Sequence, residues 1–255
     1  MELNKTVLIT QARTGSSRLP GKVLKEVNGK TLLKIHLVRL SQCENISDII
    51  VATTTSKEDE KIFNLAKDWG FKSYRGSEED VLDRFYQAAK PLKPDWIVRT
   101  TSDCPLLDPK LVDDVIEFAK RKKADYVSNV IESKFPDGQD VEVFTFSALE
   151  EAWLNADKLS EREHVTPFIR NNSNIFGGNK FSVVNFPLNE DYSNIRMTVD
   201  EPEDFELIKN IIEELGTDLT WKEYTNYIIK NNLGSLNQHI QRNEGYLKSL
   251  KEDQE

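Results

Sequence analysis

The stretch VLITQARTGSSRLPGKVLKEVNGKTLLKIHLVRLSQC, residues 7–43, sets the pattern for the first half of the chain. It opens with the apolar run Val7-Leu8-Ile9, which is typical of a buried strand, and continues as a loop rich in glycine, serine and basic residues. It ends in a segment that places Leu33, Leu37 and Leu40 on one helical face. A strand, a loop and a helix in this order form the unit from which parallel sheets are built.

The same unit repeats after residue 43. Residues 48–53, 71–75 and 96–101 have the composition of strands, and amphipathic segments follow them at about 60–69 and 78–90. Further helix starts are predicted by a capping-box pattern at Ser56 and Asp59 and by the pair Asp108-Pro109, an N-cap followed by proline at the first helical position. This alternation predicts an α/β fold with a mainly parallel sheet covered by helices on both faces.

The middle of the chain has a different character. Four candidate strands, ADYVSNV, QDVEVFTF, FSVVNF and IRMTV, occur between residues 124 and 199, with only two helical stretches among them, at about 146–157 and 160–172. We expect these strands to extend one edge of the sheet or to form a projecting arm. From Pro202 onward the pattern predicts three helices, the last over residues 234–250. We therefore expect one domain over residues 1–215 and a helical extension over residues 216–255.

Composition excludes several classes of protein. The 255 residues are 38% hydrophobic and 30% charged, which is typical of a folded globular chain and not of a disordered one. The 34 basic and 43 acidic residues give a net charge of −9, which disfavours a nucleic-acid partner. Only two cysteines, Cys43 and Cys104, occur, and no apolar run is long enough for a membrane span or a secretory signal. We expect a cytoplasmic protein with no membrane partner.

The loop QARTGSSRLPGKVL, residues 11–24, directly follows the first strand. Its glycines and serines permit close backbone approach, and Arg13, Arg18 and Lys22 supply three cations. Ligands of open α/β sheets bind at the carboxyl ends of the strands, so the loop has the position and composition of a polyphosphate site. It is neither a GxxxxGK[ST] nor a GxGxxG loop. An ordinary exposed basic loop remains the alternative.

Two aspartates end predicted strands. Asp103 lies in RTTSDCPLLDP (99–109) and Asp200 in IRMTVDEPEDFELI (195–208). Carboxylates at this edge suit a hard divalent ion that bridges phosphates. The structural alternatives are a turn cap for Asp103 and a helix N-cap for Asp200. Cys104 is interpreted as a small buried residue and not as a nucleophile.

The segment RGSEEDVLDRF, residues 75–85, allows two interpretations. Ser77 and Asp80 fit a capping box, which would explain both residues structurally. The free N–H groups of a turn at Gly76 and Ser77 would also suit the edge of a nucleobase. The spacing alone does not distinguish these two roles.

In this order the four segments resemble the cytidylyltransferases that activate acidic sugars as CMP conjugates. That family includes the 3-deoxy-manno-octulosonate and acylneuraminate cytidylyltransferases and the spore coat polysaccharide biosynthesis protein F group. The similarity covers about residues 5–210. It implies a Rossmann-like sheet of the nucleotide-diphospho-sugar transferase type, CTP and an acidic sugar as substrates, Mg²⁺ as cofactor, and a homodimer formed through the strand-rich arm. It also implies that residues 1–215 form a nucleotidyltransferase domain.

The resemblance also implies roles for individual residues. Arg13, Lys22 and Asp103 would be catalytic, and Asp103 and Asp200 would hold magnesium. The implied nucleotide-binding residues are Gln11, Ala12, Arg13, Gly15, Ser16, Ser17, Arg18, Lys22, Gly76, Ser77, Asp80 and Ser102. The acceptor-side residues are Gln139, Asp140, Glu142, Arg162 and His164. His164 would either orient the acceptor or be a structural or rim residue. Ser102 departs from the octulosonate enzymes, which have glycine there, so the sugar pocket does not carry over.

The implied reaction is attack of an acceptor hydroxyl or phosphate on the α-phosphorus of CTP, with loss of pyrophosphate. One alternative is a related nucleotidyltransferase that uses another nucleotide or a phosphorylated acceptor. Another is a nucleotide-sugar glycosyltransferase or a non-catalytic nucleotide-sugar-binding protein, because α/β sheets with a strand-terminal aspartate serve those functions too. The cationic loop favours a triphosphate over a diphosphate sugar.

Overall fold

A seven-stranded sheet organises residues 5–254, the part of the chain that the computed structural model describes. Its order is β5-β4-β1-β6-β8-β7-β9, and β2 and β3 form a separate two-stranded hairpin. The strands are β1 (Thr6–Gln11), β2 (Glu26–Val27), β3 (Lys30–Thr31), β4 (Asp48–Thr54), β5 (Lys72–Gly76), β6 (Trp96–Thr101), β7 (Tyr126–Ser128), β8 (Glu142–Thr145) and β9 (Val183–Asn185).

Ten α-helices connect or cover these strands within residues 5–254. They are α1 (Leu32–Leu40), α2 (Glu60–Asp68), α3 (Val81–Ala89), α4 (Pro109–Lys122), α5 (Phe146–Asn155), α6 (Leu159–His164), α7 (Pro167–Asn171), α8 (Pro202–Leu215), α9 (Trp221–Lys230) and α10 (Glu244–Glu252). Short 3₁₀ turns cover Lys22–Leu24, Lys90–Leu92, Asn174–Phe176 and Leu233–Leu236. No helix among these residues is both long enough and apolar enough to cross a bilayer.

The parallel half of the sheet confirms the α/β prediction. Strands β5, β4, β1 and β6 all run parallel, so their carboxyl ends meet at one edge. Along β1, Val7 and Ile9 pack into one apolar cluster and Leu8 into another on the opposite face. This alternation is the period of two expected for a strand that is buried on both faces.

The strand-rich middle forms the other edge of the same sheet. Strand β8 lies antiparallel between β6 and β7, and β9 pairs parallel with β7. Arg99 of β6 lies directly opposite Glu142 of β8, so the antiparallel turn of the chain brings Glu142 to the edge where β6 ends. The prediction that these strands extend the sheet edge is confirmed.

The prediction of a fourth strand, IRMTV at 195–199, is wrong. These residues make one isolated bridge, between Arg196 and Asp137, instead of a strand ladder. Asp137 donates its N–H to the carbonyl of Ile195 and accepts from the N–H of Met197 through its carbonyl. At Gly138, φ is +99° and a Cβ atom would lie 2.6 Å from the backbone of Met197, so only glycine allows this close approach.

Two helix predictions need correction. The segment 160–172 is split into α6 and α7, because Val165 has φ +71° and Pro167 starts the second helix. The predicted helix over 234–250 is replaced by a 3₁₀ turn at 233–236 and by α10, which begins only at Glu244. The intervening residues cross from α8 toward α6.

Candidate active site

The loop after β1 is attached to the neighbouring strand by a buried aspartate. The Asp59 carboxylate accepts hydrogen bonds from the N–H and the hydroxyl of Thr14, both at 2.7 Å, and from the hydroxyl of Thr54 at 2.5 Å. Asp59 makes no side-chain cap for α2, so the capping box predicted there is wrong. The loop closes where Gly21, with φ +66°, donates its N–H to the Thr14 carbonyl. The conformation of the predicted phosphate loop is thus fixed from outside the loop.

Lys22 lies between the two predicted metal ligands. Its Nζ atom is 2.7 Å from Asp103 Oδ2 and 2.6 Å from Asp200 Oδ1, and the side chain is only 11% exposed. Burial alone would lower the pKa of Lys22, but the two carboxylates outweigh it and raise the pKa above its usual value. Burial would likewise raise the pKa of Asp103, yet Lys22 holds it at about 2. Lys22 and Asp103 are therefore both charged at neutral pH.

Asp200 is a cation-binding residue in this structure and not a helix cap. Besides Lys22, its carboxylate contacts Arg18 Nη2 at 3.2 Å and Arg196 Nη2 at 2.9 Å. The N-cap of α8 is Glu201, which forms a capping box with Asp204. The capping interpretation of Asp200 is wrong, because its neighbour takes that role.

A second residue of the phosphate loop also binds carboxylates. Arg18 Nη1 lies 3.2 Å from Glu201 Oε1 and 2.9 Å from Glu244 Oε2. Glu244 begins α10, so the C-terminal part of the chain reaches back to the loop that follows β1. Arg13, about half exposed, pairs with Glu78 at 3.2 Å. Each of the three predicted phosphate-binding cations thus faces a carboxylate.

A buried hydrogen-bonded chain supports the loop that carries Asp103. His36 lies 3.0 Å from the Thr10 hydroxyl through Nε2 and 2.8 Å from the Cys104 carbonyl through Nδ1. Thr10 in turn lies 2.9 Å from the Ser102 hydroxyl. Burial lowers the pKa of His36 to about 4 and raises that of the Cys104 thiol well above its usual range. Ser102 is brought next to the site but uses its hydroxyl within this chain, and Cys104 is the buried thiol that the sequence indicates.

The turn after β5 is ordered by its own hydrogen bonds. Ser77 accepts from the N–H of Asp80, and Asp80 is the N-cap of α3, accepting from the N–H of Asp83. The Asp80 carboxylate also accepts from Arg162 Nε at 3.1 Å. At Gly76 a Cβ atom would lie 3.0 Å from the side chains of Tyr74 and Arg84, so a larger residue would require these side chains to shift.

The predicted acceptor residues divide into two groups. Gln139 is completely buried and bonds the Asp108 N–H and the Leu106 carbonyl, so it joins two backbone segments inside the protein. Glu142 pairs with Arg99 and accepts from the hydroxyls of Tyr126 and Thr166. Burial would raise the pKa of Glu142, but these partners, led by Arg99, lower it below its usual value.

The other acceptor residues contact helices and the C-terminal part of the chain. Asp140 pairs with Arg242, and burial raises the pKa of Asp140 to about 7 despite that partner. His164 Nε2 lies 3.0 Å from the Ser249 hydroxyl. Burial lowers the pKa of His164 to about 4.

Several site residues were not predicted. Arg99 and Arg196 lie within apolar segments, and a lone charge in such a run was the available signal. Arg242 and Glu244 carried no signal, because nothing local links residues after 232 to the cleft. Among residues 5–254 no group of three or more acidic, histidine or cysteine side chains is arranged to hold a metal ion. Asp103 and Asp200 do converge on one cation, the Lys22 ammonium.

A protein-family model described as cytidylyltransferase matches residues 7–232. An uncharacterized protein of Methanocaldococcus jannaschii is 45% identical over 205 residues, 80% of this chain and 81% of that protein. The spore coat polysaccharide biosynthesis protein SpsF of Bacillus subtilis is 33% identical over 221 residues, 84% and 89% of the two chains.

Solved structures agree with the sequence comparison. A cytidylyltransferase from Leptospira borgpetersenii superposes with a TM-score of 0.84 at 33% identity, covering 93% of this chain and 98% of that one. A CMP:2-keto-3-deoxy-manno-octonic acid synthetase complexed with CTP gives a TM-score of 0.62 at 17% identity, covering 82% and 99%. At that identity the second likeness shows the shared fold.

Proposed function

The chain belongs to the cytidylyltransferase family of enzymes, and from this premise we propose that it couples CTP to an acidic sugar. The products would be pyrophosphate and a CMP conjugate for polysaccharide synthesis. The names of the relatives support this substrate class, since they include a spore coat polysaccharide biosynthesis protein and a 3-deoxy-manno-octulosonate cytidylyltransferase. The second of these aligns over 48% of this chain and 49% of its own length.

The observation that carries the proposal is the position of Lys22 between Asp103 and Asp200. A triphosphate with a divalent ion supplies a new partner for each of these groups: phosphate oxygens for the ammonium and the ion for the carboxylates. The same exchange is open to Arg18, whose present partners are all carboxylates. The charges of Lys22, Arg18, Asp103 and Asp200, the cluster that we call the cleft, therefore match the charge pattern of a metal-bound nucleotide.

The backbone of the phosphate loop supports the same proposal. Among residues 5–254, the N–H groups of Gly15, Ser17 and Arg18 donate to no acceptor, whereas that of Ser16 bonds the Thr14 carbonyl. Free N–H groups on a loop at the carboxyl edge of a parallel sheet suit phosphate oxygens. Asp59 holds Thr14 in place, so these donors are ordered before the ligand binds.

Magnesium fits the donor set of the cleft. Asp103 and Asp200 are hard oxygen donors that already share one cation, and Mg²⁺ is commonly held by one or two carboxylates together with substrate phosphates. When bound, the ion would polarise the α-phosphate and offset charge on the nucleotide. Lys22, Arg13 and Arg18 would stabilise the negative charge that grows on pyrophosphate as the acceptor oxygen attacks in line.

The acceptor would approach from the side of β8, α6 and α7. Glu142, Asp140 and His164 would contact the acceptor on that side. Gln139 is buried and would support it through its hydrogen bonds to backbone groups. Arg162 and Asp80 form an ion pair that joins α6 to the start of α3, between the nucleotide and acceptor sides. The roles of these residues toward ligands are part of the proposal.

A homodimer in the cytoplasm is the expected form of the enzyme. Leu154, Leu159, Ile175 and Phe176 are large apolar side chains that are 43% or more exposed, and all lie in the strand-rich part of the chain. A self-association surface there is consistent with the arm over residues 124–199. A monodisperse monomer at micromolar concentration, measured by light scattering, would remove the dimer from the proposal.

The deciding experiment measures pyrophosphate release from CTP and Mg²⁺ with a panel of acidic sugars, and identifies products by mass spectrometry. Formation of a CMP conjugate with one acid supports the proposal, and the other three nucleotides serve as controls for base preference. Release with a different nucleotide or only with a sugar phosphate would redirect it to a related nucleotidyltransferase. Binding of an intact nucleotide sugar without pyrophosphate release from any acceptor would refute it.

A further inference from the structure

Arg170 on α7 is a half-buried arginine without a carboxylate partner. None of the ion pairs among residues 5–254 involves it, and its Nε atom is buried with no hydrogen-bond acceptor. The guanidinium carbon instead lies 5.7 Å from the ring centre of Tyr246. A buried guanidinium N–H without an acceptor is unfavourable, so the position favours an incoming hydrogen-bond acceptor such as an anion.

The neighbouring arginines differ in this respect. Three others on the acceptor side each have a carboxylate partner: Arg99 pairs with Glu142, Arg162 with Asp80 and Arg242 with Asp140. Burial would lower the pKa of Arg170, but Tyr126 and then Glu142 raise it above its usual value. The two oxygens of Glu142, however, already accept from Arg99, Tyr126 and Thr166. Arg170 is therefore the one arginine of these four that forms no ion pair.

The side chain that Arg170 stacks against comes from outside the family match. Tyr246 belongs to α10, and the family model ends at residue 232. Its ring also packs edge-on against His164, with ring centres 5.1 Å apart. The helix is held there by a hydrogen bond from Ser249 to Glu163, by the 3.0 Å contact between the Ser249 hydroxyl and His164 Nε2, and by a hydrogen bond from the Ser160 N–H to Asp253.

We propose that Arg170 binds the anionic group of the acceptor and that Tyr246 positions its guanidinium for this contact. The identity of the acceptor as a sugar acid rests on the proposed function above, whereas the preference for an anion follows from the absence of an ion pair and from the Nε atom without an acceptor. A carboxylate and a phosphate share the required chemistry, and a planar guanidinium suits either. The segment after residue 232 thus contributes to the choice of acceptor.

The test is a binding measurement that does not depend on turnover. Calorimetry with CTP and EDTA present would follow titrations of N-acetylneuraminate, 3-deoxy-manno-octulosonate, glucose 1-phosphate and the uncharged methyl ester of N-acetylneuraminate. We expect the wild type to bind one of the anions and Arg170→Gln to bind it at least about tenfold more weakly. Both proteins should bind the methyl ester equally weakly. Arg170→Lys, which keeps the charge, should bind the anion at an intermediate strength and guards against a folding defect in the glutamine variant.

Matched variants separate local from general effects. Arg121→Gln removes an exposed arginine on α4 that stacks on Phe118 and should change nothing. Tyr246→Phe keeps the ring and should bind the anion like the wild type. Tyr246→Ala should lower the affinity for the anion and leave the affinity for CTP unchanged. Full binding by Tyr246→Ala would overturn the positioning role.

The outcomes distinguish this inference from the proposed function. Equal binding of the anion by wild type and Arg170→Gln, or no binding of any anion, overturns the inference whatever the enzyme turns over. Binding that depends on Arg170 without pyrophosphate release from CTP sustains the inference and refutes the proposed function. Pyrophosphate release from CTP, with the anion bound equally by wild type and Arg170→Gln, sustains the proposed function and overturns the inference.

Discussion

Arg18 Nη1 and Glu244 Oε2 lie 2.9 Å apart although 226 positions separate the two residues in the chain. One belongs to the loop proposed to bind the triphosphate and the other to the first turn of α10. Glu244 therefore occupies part of the surface of a cation that we propose to bind the nucleotide. Because the Glu244 side chain is 60% exposed, the pair is screened by water and is weak.

Glu244→Gln should tighten CTP binding by about two- to fivefold, since it removes a competing carboxylate worth less than about 1 kcal/mol. The dissociation constant, measured by calorimetry in low salt, checks this expectation, and the gain should shrink as salt is added. The matched control is Glu252→Gln, at the other end of α10, where the carboxylate pairs with Lys248. Weaker CTP binding by Glu244→Gln would show that this residue assists the nucleotide and does not compete with it.

Asp103→Asn and Asp200→Asn should each lower kcat by at least about a hundredfold, because each removes a carboxylate that is proposed to hold magnesium at the reacting phosphates. Circular dichroism and thermal melting should show a folded protein, since the N-cap of α8 is Glu201 and stays in place. Glu203→Gln in the same first turn of α8 is the control. A variant that unfolds yet keeps full activity per folded molecule would assign Asp200 a purely structural role.

Asp59→Asn should raise KM for CTP by about tenfold with a smaller change in kcat. The carboxylate is the acceptor for two donors of Thr14, so its loss frees the phosphate loop without touching a ligand group. Steady-state kinetics check whether KM changes more than kcat. Asp68→Asn, at the other end of α2, is the control. An unchanged KM would mean that the loop keeps its conformation without this anchor.

His36 should make the protein less stable in acid. Its pKa is lowered from 6.5 to about 4 in the folded state, so the unfolded chain binds this proton more readily. The free energy of unfolding should therefore decrease as the pH falls from about 6.5 to about 4, by roughly 3 kcal/mol in total from this residue.

The measurement compares urea unfolding of the wild type and His36→Gln across that pH range. His164, whose pKa is also lowered to about 4, contributes in the same direction in both proteins, so the difference between them isolates His36. The exposed His239 provides a control, His239→Gln, that should follow the wild type. Parallel curves for wild type and His36→Gln would contradict the prediction.

The parallel half of the fold could be predicted because its signals are local. Apolar runs of strand length and amphipathic segments alternate, and Asp108-Pro109 marks the start of α4 correctly. The same proline rule identifies Glu201 as the N-cap of α8, because Pro202 occupies the first helical position. The rule therefore leaves Asp200 outside the cap, where its side chain is available for Lys22, Arg18 and Arg196.

Other parts of the site depend on contacts that no local pattern encodes. Ser56 and Asp59 have the spacing of a capping box, and only the packed structure shows that Asp59 faces Thr14. The segment IRMTV has strand composition, yet the close approach of Gly138 leaves it no ladder partner. Arg242 and Glu244 reach the cleft through a chain reversal after residue 232.

The Arg99–Glu142 pair and the C-terminal helix α10 are held in place in different ways, which affects how each can be changed by evolution or by engineering. The register of two adjoining strands places the two residues opposite each other, so the backbone of the sheet sets their relative position. The contacts described for α10 reach the loop after β1, through Glu244 and Arg18, as well as the short helices α6 and α7 outside the sheet. Side chains of this helix can therefore change without disturbing the sheet, but such changes would reach both the nucleotide side and the acceptor side of the proposed site.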